Sequence, residues 1–175
     1  QLGRDVLSRL VYGIRATVFL SLLTMAITSA LGACVGLVSG FFRNRIDDVL
    51  MRICDVMMSF PSEVMILAIV GMTGPGLENV VIANVVAKWP WYARMVRSIV
   101  RQYSDKDYIQ FAKVAGGSSI RIMMRHLLPG TAGELFVLTT LDTGSVILMI
   151  SALSFLGLGV QPPTPEWGMM LNEAK

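Results

Sequence analysis

The strongest constraint in this sequence is a stretch of 27 residues, from Ala16 to Phe42, that contains no charged side chain. An α-helix needs about 20 consecutive apolar residues to cross the hydrocarbon core of a bilayer. The whole chain is 54% hydrophobic and 15% charged, with a mean hydropathy of +0.62, far from the composition of an ordinary soluble domain. The sequence therefore predicts an all-α, polytopic membrane helix bundle.

Four membrane-spanning helices are predicted, at about residues 16–42, 56–77, 79–98 and 131–160. The loop after the fourth contains three prolines between 162 and 165, which exclude further helix. Residues 1–15 place apolar side chains near one face and arginines elsewhere, so we expect them to form an amphipathic segment in the membrane interface. Residues 16–175 are predicted to form one transmembrane domain.

The distribution of charge orients these helices. Ten of the fifteen basic residues lie in two segments, 43–52 and 94–125. Short cytoplasmic loops collect Lys and Arg, so both segments are predicted to be cytoplasmic. Because the excess of positive charge is explained by topology, the sequence gives no reason to expect nucleic acid as a partner.

A hydrophilic module interrupts the apolar sequence at residues 105–129. It reads as a short helix, a break at 116–119 with the sequence GGSS, and a second helix that we expect to stop at Pro129, because proline cannot continue a helix. A membrane protein that keeps such an element in water presents it to a partner. The alternative interpretation is an ordinary solvated loop, but loops of this length without a role are uncommon.

Enzymatic chemistry is not predicted. The sequence has no GxxxxGK[ST] phosphate-binding loop, and its only histidine, His126, lies in the module. No catalytic constellation and no metal site can be recognised. Any ATP and Mg²⁺ would therefore bind to another chain.

Residues 110–129 resemble the cytoplasmic signature of permease subunits of ABC importers. That signature is a Glu-Ala-Ala triplet, a Gly after three further residues, and an Ile-x-Leu-Pro ending after nine more. Here the triplet reads QFA, the glycine is Gly116 and the ending reads HLLP, with the same spacing. Other segments resemble the nickel, dipeptide and oligopeptide branch of that family: GRDVLSRL at 3–10, SFPS at 59–62, WYARMVRS at 91–98 and SFLGLGVQPPTPEWG at 154–168.

The resemblance implies a type I ABC importer transmembrane domain in a bacterial inner membrane. Since the chain begins at Gln1 rather than Met, we expect a fragment that holds about four of six spans. The implied partners are a second permease subunit, two ATP-binding subunits and an extracytoplasmic substrate-binding protein. By resemblance, coupling to the ATPase falls on the matching residues of the module: Gln110, Phe111, Ala112, Gly116, Arg121, His126, Leu128 and Pro129.

The substrate is left open by the sequence. In several segments the residues resemble those of nickel or cobalt importers more closely than those of dipeptide importers. A bare nickel ion prefers imidazole, thiolate or carboxylate ligands, yet Glu63 and Asp142 are the only carboxylates well inside the predicted spans. We therefore expect nickel or cobalt to cross as an organic chelate, with dipeptides or oligopeptides as the alternative substrate.

Charged residues inside membrane spans tend to face a cavity or a partner. Glu63, Lys88 and Asp142 are accordingly candidates for the translocation path. Two alternatives remain: Asp142 and Lys88 form a structural ion pair, or all three carry coupling charge in an ion-driven secondary transporter. The module at 105–129 favours an ATP-driven importer, since a secondary carrier does not need a docking element.

Small residues form a ridge on the first span. Gly32, Gly36 and Gly40 recur every four residues, and so share one face of the helix. Small residues in this pattern allow the backbones of two membrane helices to approach closely. We expect them to be packing residues.

Overall fold

The computed structural model describes residues 5–174. Each regular element in this range is helical, which confirms the predicted all-α class. In chain order the elements are α1 (Val6–Phe42), α2 (Arg45–Met58), α3 (Ser62–Thr73), α4 (Leu77–Ser104), α5 (Asp107–Val114), α6 (Ser119–Ile122), a π-helical turn (Met123–Leu127), α7 (Leu128–Phe155) and α8 (Trp167–Glu173).

Two helical segments are long and apolar enough to cross a membrane, α1 and the continuous run Ser119–Phe155 that includes α7. The pair of α2 and α3 meets the same criterion when taken together, although it is bent by 80°. Within residues 5–174 this gives two spans, or three if the bent pair crosses the bilayer. The third predicted span, 79–98, falls within α4, which is not one of these apolar segments. The count of four spans therefore stays a prediction.

The first helix starts well before the predicted boundary at residue 16. Asp5 caps it, because its carboxylate accepts the backbone N–H groups of Leu7 and Ser8, both at 3.2 Å, and the hydroxyl of Ser8. The bond from the Ser8 hydroxyl, followed by the backbone bonds, lowers the pKa of Asp5. The predicted interfacial segment is thus continuous with the first span from Val6 onward, while residues 1–4 lie outside the described part.

The second predicted span, 56–77, is divided by a proline. At the end of α2 the backbone N–H and the hydroxyl of Ser59 both donate to the carbonyl of Val56, at 3.3 and 2.6 Å. Pro61 then occupies the N-cap position of α3. Proline has no backbone N–H to donate. No hydrogen bond is lost at this position, because the first N–H groups of a helix have no intrahelical acceptor.

The second helix of the module does not stop at Pro129, contrary to the prediction. It passes through the π-helical turn into α7, whose second residue is Pro129. A proline inside an α-helix removes a hydrogen bond and clashes with the carbonyl four residues earlier. Here the N–H of Leu128 bonds instead to the carbonyl of Met123, five residues back. This wider turn gives a physical reason why the helix continues. At its other end α7 stops at Phe155 rather than at residue 160.

The described residues pack as two compact units. The first contains the residues up to Ile27, Phe60–Ala87, and those from Thr140 onward. In it the fully buried carboxylate of Glu166 accepts the hydroxyl of Ser151 at 3.0 Å and that of Thr17 at 3.3 Å. The second consists of Thr28–Ser59 and Lys88–Thr139. We call it the module unit, because it contains residues 105–129.

Within the module unit, α1 and α4 approach closely at the glycine ridge, as the spacing predicts. A Cβ on Gly36 would lie 2.5 Å from the carbonyl oxygen of Ala93, and one on Gly40 would lie 2.8 Å from the Cβ of Val100. Real Cβ atoms essentially never approach other heavy atoms so closely. The ridge therefore sets the distance between the two helices.

We expect Gly36→Ala to destabilise the module unit, because the backbone of α4 leaves no room for a methyl group. Overpacking costs about 1–3 kcal/mol, which exceeds the roughly 0.5–1 kcal/mol that alanine gains over glycine in a helix. Gly133→Ala is the control, since a Cβ there meets no atom within 4 Å. The unfolding temperature of each variant is measured in detergent. An unfolding temperature for Gly36→Ala at or above that of Gly133→Ala would contradict the close packing.

Candidate functional site

The module is a helix pair with a sharply defined turn. The N–H of Gly117 bonds to the carbonyl of Ala112 at 3.0 Å, and the N–H of Gly116 bonds to that of Lys113 at 3.1 Å. Together with a φ of +80° at Gly116, this is the Schellman motif, which requires a left-handed residue. A Cβ on Gly116 would meet nothing within 4 Å. The glycine is therefore required for its backbone conformation rather than for space.

One side of the pair is buried in the module unit. Ile109, Ile122 and Leu127 are each at most 2% exposed, and they belong to one apolar cluster with residues of α1 and α4 such as Leu37 and Val100. Each fully buried aliphatic side chain stabilises such packing by about 1.5–3 kcal/mol. The pair is thus anchored to the helices beneath it.

The other side exposes apolar side chains. We call the set the exposed apolar face, and its members are Tyr108, Phe111, Val114, Ile120 and Met124. Phe111, Val114 and Ile120 are 79%, 88% and 71% exposed. An open pocket of about 520 Å³ lies on α5, lined by Asp107, Tyr108, Phe111, Ala112 and Ala115. Exposed apolar patches of this kind mark interaction sites.

The predicted coupling residues divide between these two sides. Gln110 donates to the carbonyl of Ser104 at 2.8 Å, and the half-buried His126 places its ring 6.3 Å from that of Tyr108. Ala112 and Leu128 pack against the buried cluster. Phe111, Arg121 and Pro129 are exposed. Gln110, Ala112 and Leu128 thus contact α4 or the buried cluster, His126 contacts α5 within the pair, and Gly116 shapes the turn. Gln110 and Gly116 are also exposed, so five of the eight residues are accessible.

Sequence reasoning missed part of this surface. Tyr108, Val114 and Ile120 were not among the predicted residues, although apolar side chains in a segment predicted to be aqueous are a usable signal. It also missed the buried carboxylate of Asp47, which binds two arginines of α4. No spacing in the sequence indicates that contact.

The predicted translocation-path residues lie in different units. Glu63 is exposed in the first turn of α3, where it accepts the hydroxyl of Ser62 at 3.0 Å. Asp142 is half-buried in α7 and accepts the hydroxyl of Ser145 at 2.9 Å. Lys88 is half-buried in α4 and belongs to the module unit. Their role in a path stays a prediction.

The family profile of the binding-protein-dependent transport system inner membrane component matches residues 32–175. Together with the long apolar helices, this match defines the class: the chain belongs to this family of inner-membrane transport components.

Curated relatives are similar over essentially the whole chain. The di/tripeptide transport system permease protein DppC of Pseudomonas aeruginosa is 43% identical over 100% of this chain and 58% of its own length. The metal-staphylopine import system permease protein CntC of Staphylococcus aureus is 41% identical over 99% of this chain and 60% of its own length. The nickel transport system permease protein NikC of Escherichia coli K12 is 38% identical over 99% of this chain and 63% of its own length. The chain thus spans about three fifths of the length of these relatives.

We expect Gly116→Val to loosen the end of α5, because a β-branched residue is strained at positive φ. The left-handed conformation costs an L-residue about 1–2 kcal/mol. This cost raises the equilibrium constant for local opening of the turn about tenfold. Gly116→Asn is the control, since asparagine visits this conformation readily. Hydrogen exchange of the Gly117 amide reports the opening, and equal exchange in the two variants would contradict the assigned turn.

Proposed function

We propose that this chain is the membrane subunit of an ATP-driven importer, and that residues 105–129 dock onto a separate ATP-binding subunit. The observation that carries the proposal is the exposed apolar face on a helix pair whose opposite side is firmly anchored. A rigid element that exposes Phe111, Val114 and Ile120 resembles the aromatic and aliphatic anchors of protein interfaces. Membership of the transport family agrees with this reading.

The proposed assembly contains a second permease subunit, two ATP-binding subunits and an extracytoplasmic substrate-binding protein. Hydrolysis of ATP, with its Mg²⁺, occurs on the ATP-binding subunits. Closure of those subunits pulls on the helix pair, which passes the movement to α7 through the continuous run Ser119–Phe155. The substrate path then opens alternately to the two sides of the membrane.

Each coupling residue has a distinct role in this proposal. Gly116 sets the angle between α5 and α6 through its positive φ. Phe111 inserts into the ATP-binding subunit, and Arg121 pairs with acidic groups at its rim. Gln110, Ala112 and Leu128 keep the pair attached to the helices beneath it. His126 connects the π-helical turn to Tyr108 of α5. Pro129 lies where the pair joins α7.

For the substrate we propose nickel or cobalt bound to an organic chelator. Relatives named for a metal-staphylopine complex, for nickel and for di- or tripeptides are similarly distant, at 38–43% identity. A metal chelate and a short peptide share size and polar groups, which explains how one scaffold serves both. Glu63, Asp142 and Lys88 are the proposed charged residues of the path. The 43% identity to the di/tripeptide permease supports peptides as the alternative.

We expect Phe111→Ala to weaken retention of the ATP-binding subunits, because truncation of an aromatic anchor costs about 2 kcal/mol or more, roughly thirtyfold in affinity. The matched control is Phe19→Ala, since Phe19 is similarly exposed at 69% but lies on α1 within the first predicted span. Co-purification of the ATP-binding subunits with the permease complex is the measurement. Loss of retention in both variants, or in neither, would contradict docking at this face.

The substrate is tested by uptake into cells that carry the full transporter. We expect radiolabelled nickel to enter only when a small-molecule chelator is present, because the spans offer too few ligands for the bare ion. A labelled dipeptide is assayed in parallel. Uptake of the dipeptide alone would assign the transporter to peptides, and chelator-independent nickel uptake would contradict the chelate.

A further inference from the structure

Asp47, near the start of α2, is a buried carboxylate that joins three helices. It is 2% exposed. Arg97 donates to both of its oxygens, from Nε at 2.5 Å and from Nη2 at 2.7 Å. Arg101 and the hydroxyl of Ser39 each donate one further hydrogen bond. Because Ser39 belongs to α1 and both arginines belong to α4, this one carboxylate ties α2 to two neighbouring helices.

The two arginines bind Asp47 unequally. Arg97 forms the bidentate arrangement, the stronger geometry for a guanidinium and a carboxylate. Arg101 uses a single nitrogen, and its buried Nε has no hydrogen-bond partner within residues 5–174. The contact with Arg101 can therefore be released while Arg97 still compensates the buried charge.

A second set of contacts connects Arg101 to the module. The Nη2 of Arg43 donates to the carbonyl of Arg101 at 2.7 Å and lies 2.8 Å from Oδ1 of Asp105, the first residue of the module. Arg43 itself has a φ of +46°, a left-handed conformation that is uncommon for a residue other than glycine. Arg43 therefore links the first residue of the module to the backbone of Arg101, whose side chain binds Asp47.

We propose that Asp47 is a positioning residue that transmits movement of residues 105–129 to α2, by losing and regaining its contact with Arg101. The proposal rests on the proposed function of an ATP-driven importer. Along the chain α2 leads to the break at Ser59 and Pro61, and then to Glu63. Asp47 therefore connects the docking element to the helix that precedes a proposed path residue.

The test uses the full transporter in proteoliposomes, with three substitutions compared with the wild type. Asp47→Asn removes the charge, Asp47→Glu keeps it, and Asp48→Asn removes the same charge from the adjacent exposed position. Two quantities are measured: retention of the ATP-binding subunits, and molecules imported per ATP hydrolysed, with nickel–histidine and a labelled dipeptide as probes. We expect Asp47→Asn to retain the subunits but to lower import per ATP by about tenfold. Asp47→Glu should restore most of it, and Asp48→Asn should stay within about twofold of the wild type.

Arg101→Gln keeps the experiment decisive if Asp47→Asn does not accumulate in the membrane. This variant loses only the single-nitrogen contact and leaves the Arg97 pair intact, so we expect normal accumulation and the same loss of import per ATP. Import per ATP within about twofold of the wild type in Arg101→Gln would overturn the proposal. A wild-type complex that neither retains ATP-binding subunits nor imports with ATP would overturn the proposed function itself, and the two failures are thereby distinguished.

Discussion

Hydrocarbon offers no hydrogen-bond partners to the polypeptide backbone, so a chain that crosses a membrane must satisfy its backbone groups internally. Long helices satisfy their own N–H and C=O groups, and the described chain is built from them. Three interruptions of the helices have distinct local hydrogen bonding: the hydroxyl of Ser59 at the end of α2, the Schellman turn at Gly116, and the π-helical turn before Pro129. Two of these interruptions belong to residues 105–129: the turn at Gly116 separates α5 from α6, and the π-helical turn joins the pair to α7.

Hydrophobicity and spacing predicted the helical class, the glycine ridge and the helix pair, because each depends on local composition and on the period of the α-helix. The continuation through Pro129 could not be predicted, since proline removes a hydrogen bond in any sequence and only the actual geometry shows a π-helical turn that accommodates it. The ion pair between Asp47 and Arg97 could not be predicted from the sequence for another reason. The two residues are 50 positions apart in the chain, and only the packing of α2 against α4 brings them together.

The module combines an anchored side with an exposed one. Its buried residues belong to the same apolar cluster as residues of α1 and α4, and Arg43 adds a polar connection at Asp105. A partner that binds the exposed apolar face would therefore move an element that is already packed against two other helices, α1 and α4. In the proposed function, this arrangement lets a segment of about 25 residues that is predicted to lie in water influence the predicted membrane helices.

Chemical labelling of Val114→Cys, at a position that is 88% exposed, tests whether residues 105–129 dock onto the ATP-binding subunits. Cys34 is replaced by serine because it is also exposed, whereas Cys54 is buried. We predict that a membrane-impermeant maleimide labels the new thiol in inside-out vesicles stripped of the ATP-binding subunits, and that restoring those subunits blocks the reaction. Labelling that occurs only from the outer side, or that is unchanged by the subunits, would contradict docking of residues 105–129 onto the ATP-binding subunits.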